Sequence, residues 1–229
     1  TDVTGVQTCA LPISIKAAIK QGALIQWNHP GWKAQQPDET RWQPVMDELL
    51  ERGWVHAIEV FNHNEWYPVS LGWCIEKNLA VTANSDVHGL IMDQYDTRNG
   101  QRPMTLVFAR ERSLEALREA MLDGRTAAWF GENLAGKAEY LAAIFQAAVS
   151  AAPPHFTDKD GYRHLEITNA SDIVFQLKGA GGAWADSVRL PARSAVNIKI
   201  KGQANAIDVQ VTNLHTNLNE ALSAAIAVP

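Results

Sequence analysis

Three apolar runs, Ala23–Trp27, Ala57–Phe61 and Leu79–Ala83, alternate with segments of helical spacing, and each run stops abruptly at polar, chemistry-bearing residues. Ile15, Ala18 and Ile19 share one helical face ahead of Gly22. Val45, Met46, Leu49 and Leu50 do the same ahead of Gly53, and Ser70–Lys77 makes a third helical segment. Parallel strands cannot be joined by a tight turn and need a crossover, so strand–helix alternation predicts a parallel sheet or a β/α barrel. In such folds the chemistry gathers where strands end at their carboxyl side.

The strand ends are therefore where function is sought. The first run leads into Asn28-His29-Pro30-Gly31 and the third into Asn84-Ser85-Asp86-Val87-His88-Gly89. If the third strand continues through its motif, a period of two puts Asp86 and His88 on one face. Imidazole and carboxylate side chains at neighbouring strand ends suit one divalent-metal site, with His29, Asp86 and His88 as ligands. The middle run ends in Glu59-Val60-Phe61-Asn62. Asn62 is expected to face the mouth and contact substrate, and Tyr67 either hydrogen-bonds a substrate oxygen or packs. Glu59 is read as a rim residue that caps or pairs, and His63 as a solvated loop residue.

Tryptophan is dense here: Trp27, Trp32, Trp42, Trp54, Trp66 and Trp73. Long loops without a core of their own use aromatic anchors, and the alternative is an apolar pocket for an ester group. Lys33, Arg41, Arg98 and Arg102 lie on the same loops, as solvated charges or as anion contacts.

Further along, Met104–Phe108 and Thr126–Phe130 read as strands. Between them Ser113 caps a helix carrying Leu114, Leu117, Met121 and Leu122, which Gly124 ends. Leu134–Ser150 reads as an Ala-rich helix, and Ala151-Ala152-Pro153-Pro154 as a domain boundary. Beyond it the period changes to two. Five short strands, around Leu165–Ile167, Val174–Leu177, Ser187–Leu190, Ala195–Ile200 and Ala206–Val211, predict a small all-β sandwich. The expected division is 14–150 for the α/β part and 155–229 for the β part.

A net charge of −5 gives no basic footprint, which argues against a nucleic-acid partner. No apolar stretch approaches the ~20 residues of a membrane span. Cys9 and Cys74 make no disulfide framework, and Cys74 reads as a small buried hydrophobe. No G-x-S-x-G elbow supports a serine nucleophile. His56, His155, His164 and His215 read as surface or structural. Compartment and oligomeric state are unassigned. Residues 1–13 (TDVTGVQTCALPI) lack the pattern of a signal peptide and resemble translated sequencing-adapter readthrough, so they are expected to be a non-native leader on a bacterial, metagenomic fragment.

Taken together, N-H-P-G, E-V-F-N and N-S-D-V-H-G resemble the later half of the PHP (polymerase and histidinol phosphatase) family. The resemblance covers about Ser14 to Lys137, and an appended β-domain is closest in layout to Sb-PDE-type phosphodiesterases. It implies the C-terminal part of a distorted, TIM-like (β/α)7 barrel and phosphodiester or phosphomonoester hydrolysis by a metal-bridged hydroxide. It also implies two or three manganese, zinc or iron ions, with His29, Asp86 and His88 in the ligand shell and a small phosphate ester as substrate. The family's early H-x-H pair, D-H turn and upstream Glu are missing, so this chain is expected to be an inactive piece of an enzyme. An amidohydrolase-type metal hydrolase and a non-catalytic binding module remain as alternatives.

Overall fold

The computed structural model describes residues 3–96 and 101–229, in two compact units, Thr1–Gly131 and Glu132–Pro229. The first unit is mixed α/β. Its elements are α1 (Val3–Lys20), β1 (Gln26–Trp27), α2 (Val45–Glu51), β2 (Ala57–Asn62), β3 (Glu65–Trp66), α3 (Pro68–Glu76), β4 (Ala80–Asn84), α4 (Ile91–Gln94), β5 (Met104–Val107), α5 (Leu114–Leu122) and β6 (Thr126–Phe130). Gly22 ends α1 and Gly124 follows α5, both in the left-handed region that glycine adopts without a Cβ penalty. Ser113 caps α5 by accepting the Ala116 N–H at 3.1 Å.

β1, β2 and β4 run parallel, with Gln26 opposite Ala57 and Ala57 opposite Ala80. Every residue of β2 is buried, as expected of a strand covered on both faces. The outer edge of β4 is closed by side-chain hydroxyls. Thr126 Oγ1 accepts the Val81 N–H at 2.9 Å. Thr105 Oγ1 accepts the Ala83 N–H at 2.9 Å and donates to the Ala83 carbonyl at 3.1 Å. Two threonines thus satisfy backbone groups that burial would otherwise leave unpaired. β5 and β6 form an antiparallel pair beside them.

α5 departs from expectation. It buries Ala116 and Ala120 and leaves Leu114, Leu117 and Leu122 exposed, because the small residues let the helix backbone lie close to its support. Three of the tryptophans anchor one another, while Trp32 is exposed. Trp27 stacks on Trp73 at 5.5 Å with the rings 3° from parallel, and Trp42 meets both edge-on. The Trp42 indole N–H donates to Asp47 at 2.8 Å, pinning the long loop after β1 to α2.

The second unit holds β7 (Asn133–Gly136), α6 (Ala138–Ala148), β8 (Val149–Ala151), β9 (Phe156–Thr157), β10 (Tyr162–Asn169), β11 (Phe175–Gly179), β12 (Ser187–Leu190), β13 (Ser194–Lys201), β14 (Ala206–Asn217) and β15 (Glu220–Ala227). The single helix expected over 134–150 is three elements. Leu134 and Ala135 are drawn into pairing with β14, and Val149–Ala151 pairs with β10. The segment 151–154 lies inside this unit, which also takes in α6, whose Phe145 meets Phe175 edge-on at 5.2 Å. β8, β9 and β13 pair with β10; β11, β15 and β7 pair with β14. His164 pairs with Asp158 at 2.9 Å, a structural role. Among the described residues no helix is long and apolar enough to cross a membrane.

Candidate metal centre

The parallel order of β1, β2 and β4 brings their carboxyl ends to one edge, and three residues there share an unusual backbone. His29, His63 and Asp86 stand one or two positions after the three strands, with φ of 32°, 50° and 52°. Non-glycine residues avoid this region because Cβ crowds the carbonyl, so three in a row of strand ends mark stored strain. Such strain persists only where the surroundings hold it.

Glu59 does much of the holding. It sits on β2 with 1% of its surface exposed. One oxygen accepts the backbone N–H of His29 and the Asn62 amide at 3.1 Å, and the other accepts the Asn84 amide at 2.6 Å. One carboxylate therefore ties the loop after β1 and the ends of β2 and β4 together. Burial pushes its carboxyl up, while the donors from Asn84, His29 and Asn62 pull the other way. The rim reading of Glu59 is corrected: it is an interior hub. Its sequence signal was a lone charge inside the apolar run Ala57–Phe61, since a buried charge needs partners.

Nδ1 of His29 is buried and has no hydrogen-bond partner among the described residues, and the ring meets Trp32 edge-on at 5.5 Å. β4 ends at Asn84, so Asp86 and His88 lie on a loop and strand alternation does not pair them. What joins them is a hydrogen bond from His88 Nδ1 to the Asp86 carbonyl at 2.8 Å; a carbonyl only accepts, so Nδ1 carries a proton and Nε2 is the nitrogen left to face a ligand. The Asp86 carboxylate accepts no hydrogen bond among the described residues. No group of three or more His, Cys, Asp and Glu side chains able to hold a metal ion is formed among the described residues. Taken singly, His29 has a buried ring nitrogen without a partner among the described residues, and His88 has its Nδ1 engaged by the Asp86 carbonyl.

The two expected substrate contacts face inward. Asn62 is 6% exposed and spends its amide on Glu59; Tyr67 is 4% exposed and its hydroxyl donates to Glu65. Burial first, then Glu65, pushes the Tyr67 hydroxyl above the usual phenol range, with Glu59 and Asp86 adding to it. His63 turns the chain from β2 into β3. Its Nδ1 donates to the Tyr95 hydroxyl at 3.0 Å, and that hydroxyl donates to the Ser85 carbonyl at 2.8 Å. His63 is thus wired to the Asp86 loop, a link between distant segments that sequence reasoning missed. Arg98 lies outside the described residues.

No family model matches the sequence, and no curated protein matches it. A crystal structure from Bacteroides vulgatus, of a two-domain protein containing a predicted PHP-like metal-dependent phosphoesterase, does. The TM-score is 0.85 at 35% sequence identity, over 93% of this chain and 64% of that one. This chain therefore shares the mixed α/β fold of that protein over 93% of its own length and spans 64% of that protein's length.

Proposed function

We propose that this chain carries part of the active site of a metal-dependent hydrolase of small phosphoric esters, with His29, Asp86 and His88 as its share of the metal ligands. The observation that carries the reading is the concentration of strained, ligand-type residues at one edge of three parallel strands, where His29 keeps a buried nitrogen without a partner among the described residues. The likeness to a protein with a predicted metal-dependent phosphoesterase supports the choice of phosphoric esters. The finer reading is later strands of a distorted (β/α)7 barrel followed by a β-sandwich in the Sb-PDE layout; the parallel order of β1, β2 and β4 supports the barrel part, and the antiparallel pairing around β10 and β14 supports the β part.

A bound divalent cation, manganese, zinc or iron, would supply Lewis acidity at the phosphoryl group and ease deprotonation of an attacking water. The chain's own residues do the positioning. The Asp86 carbonyl fixes the His88 tautomer, as outer partners of metal-binding imidazoles do. Glu59 holds the His29 backbone, and Asn62 and Tyr67 brace the site from behind rather than touching substrate.

Titration with manganese, followed through the imidazole resonances in NMR, tests the reading. Manganese should broaden the His29 and His88 rings selectively, and Asp86→Asn should weaken the effect by about tenfold or more. Rings that stay sharp at millimolar metal overturn the proposal. Hydrolysis of a lactone but not of a bis-aryl phosphate by the manganese-loaded protein would move it to the amidohydrolase-type reading.

A further inference from the structure

A cleft of about 510 Å³ opens between the loop after β4 and the start of β5, within the size range of small-ligand sites. Asn84, Ser85 and Asp86 from the first segment and Arg102, Met104 and Thr105 from the second are among its lining residues. We propose that this cleft is the anion-recognition subsite of the candidate metal centre and that Arg102 is the residue that grips the anion, a phosphoryl group bearing two free oxygens. The identity of the anion rests on the hydrolase reading; its place rests on geometry alone.

Both segments are braced. Asn84 is held by Glu59 at 2.6 Å and the Ser85 carbonyl by Tyr95 at 2.8 Å, while Thr105 is stitched twice to Ala83. A subsite on such supports is set before ligand arrives, which spares the ordering cost of binding. The cation is also unspent. Arg102 forms no hydrogen bond or ion pair among the described residues, so its planar fork of donors is available for two oxygens at once. Arg41, by contrast, is paired with Glu39 at 2.8 Å, and Lys33 is exposed on the loop after β1. Arg102 is thus the described cation that shares a cleft with Asp86. A phosphoryl group seated on the guanidinium would lie beside the carboxylate that the metal reading requires. That juxtaposition is what substrate positioning asks for.

The test titrates inorganic phosphate into the metal-free chain and follows the backbone amides of Asn84–Thr105 by NMR. Phosphate should shift these amides in the wild type. Arg102→Ala should weaken binding by about tenfold or more, Arg102→Lys by less, and Arg41→Ala not at all. Arg102 is exposed, so the variants should fold, and matching melting temperatures would show it. Unshifted amides, or equal binding by wild type and Arg102→Ala, overturn the subsite. Failure of the two proposals is separable. Arg102-dependent phosphate binding in a chain whose histidines ignore manganese upholds the subsite and sinks the hydrolase reading. Manganese at His29 and His88 without Arg102-dependent phosphate binding does the reverse.

Discussion

Removing the Glu59 carboxylate should loosen three segments at once. In Glu59→Ala the His29 N–H, the Asn62 amide and the Asn84 amide all lose their acceptor inside the protein. A buried donor left unsatisfied costs about 1–3 kcal/mol, so the three sum to several. Relief from burying a charge offsets part of that, and the vacated volume adds some back. The net expectation is a loss of about 3 kcal/mol. Glu59→Gln should behave differently. With its oxygen where the His29 and Asn62 donors point, its amide meets Asn84, whose own amide can turn over and present oxygen instead. One flipped bond should limit the cost to about 1 kcal/mol. Urea unfolding read by tryptophan fluorescence suits the experiment, because seven of the eight tryptophans belong to the same unit as Glu59. Glu59 is not a hub if Glu59→Ala costs under about 1 kcal/mol, or if Glu59→Gln costs as much as Glu59→Ala.

Thr126→Val keeps the shape but strips the Val81 N–H of its acceptor, so the same unfolding experiment should show a loss of about 1–2 kcal/mol; an unchanged midpoint would refute the edge-closing role. At Gly31 a Cβ would stand 2.5 Å from the Tyr67 ring and from Thr40 Oγ1, so Gly31→Ala should cost about 1–3 kcal/mol and weaken manganese binding by displacing the His29 loop. Burial lowers the pKa of His56 and His215 below their ordinary 6.5. Below about 6.5 the unfolded chain takes up protons that the folded chain refuses, so stability rises with pH across that window and is lost as pH falls through it. The melting temperature should therefore drop between about pH 7.5 and 5.5, and the double variant His56→Asn, His215→Asn should flatten that drop. A slope that survives both changes would assign it to other groups.

Local chemistry was legible in the chain. The apolar runs predicted β2, β4 and β6, because strands buried on both faces need unbroken hydrophobicity, and Gly22 and Gly124 marked helix ends because only glycine turns there without penalty. His29, Asp86 and His88 stood out as ligand-type side chains after strands. What tertiary structure alone decided was pairing across distance. The Ala-rich stretch Glu220–Ala227 is a strand because β14 offers it a ladder, and Leu134–Gly136 is a strand for the same reason. Thr105 and Thr126 close an edge they are far from in sequence, and Asp86 leaves the strand that periodicity would have continued. Glu59 shows the division most clearly. A charge within an apolar run announces that partners exist, but only the folded chain chooses His29, Asn62 and Asn84, since hydrogen bonds depend on where donors meet in space.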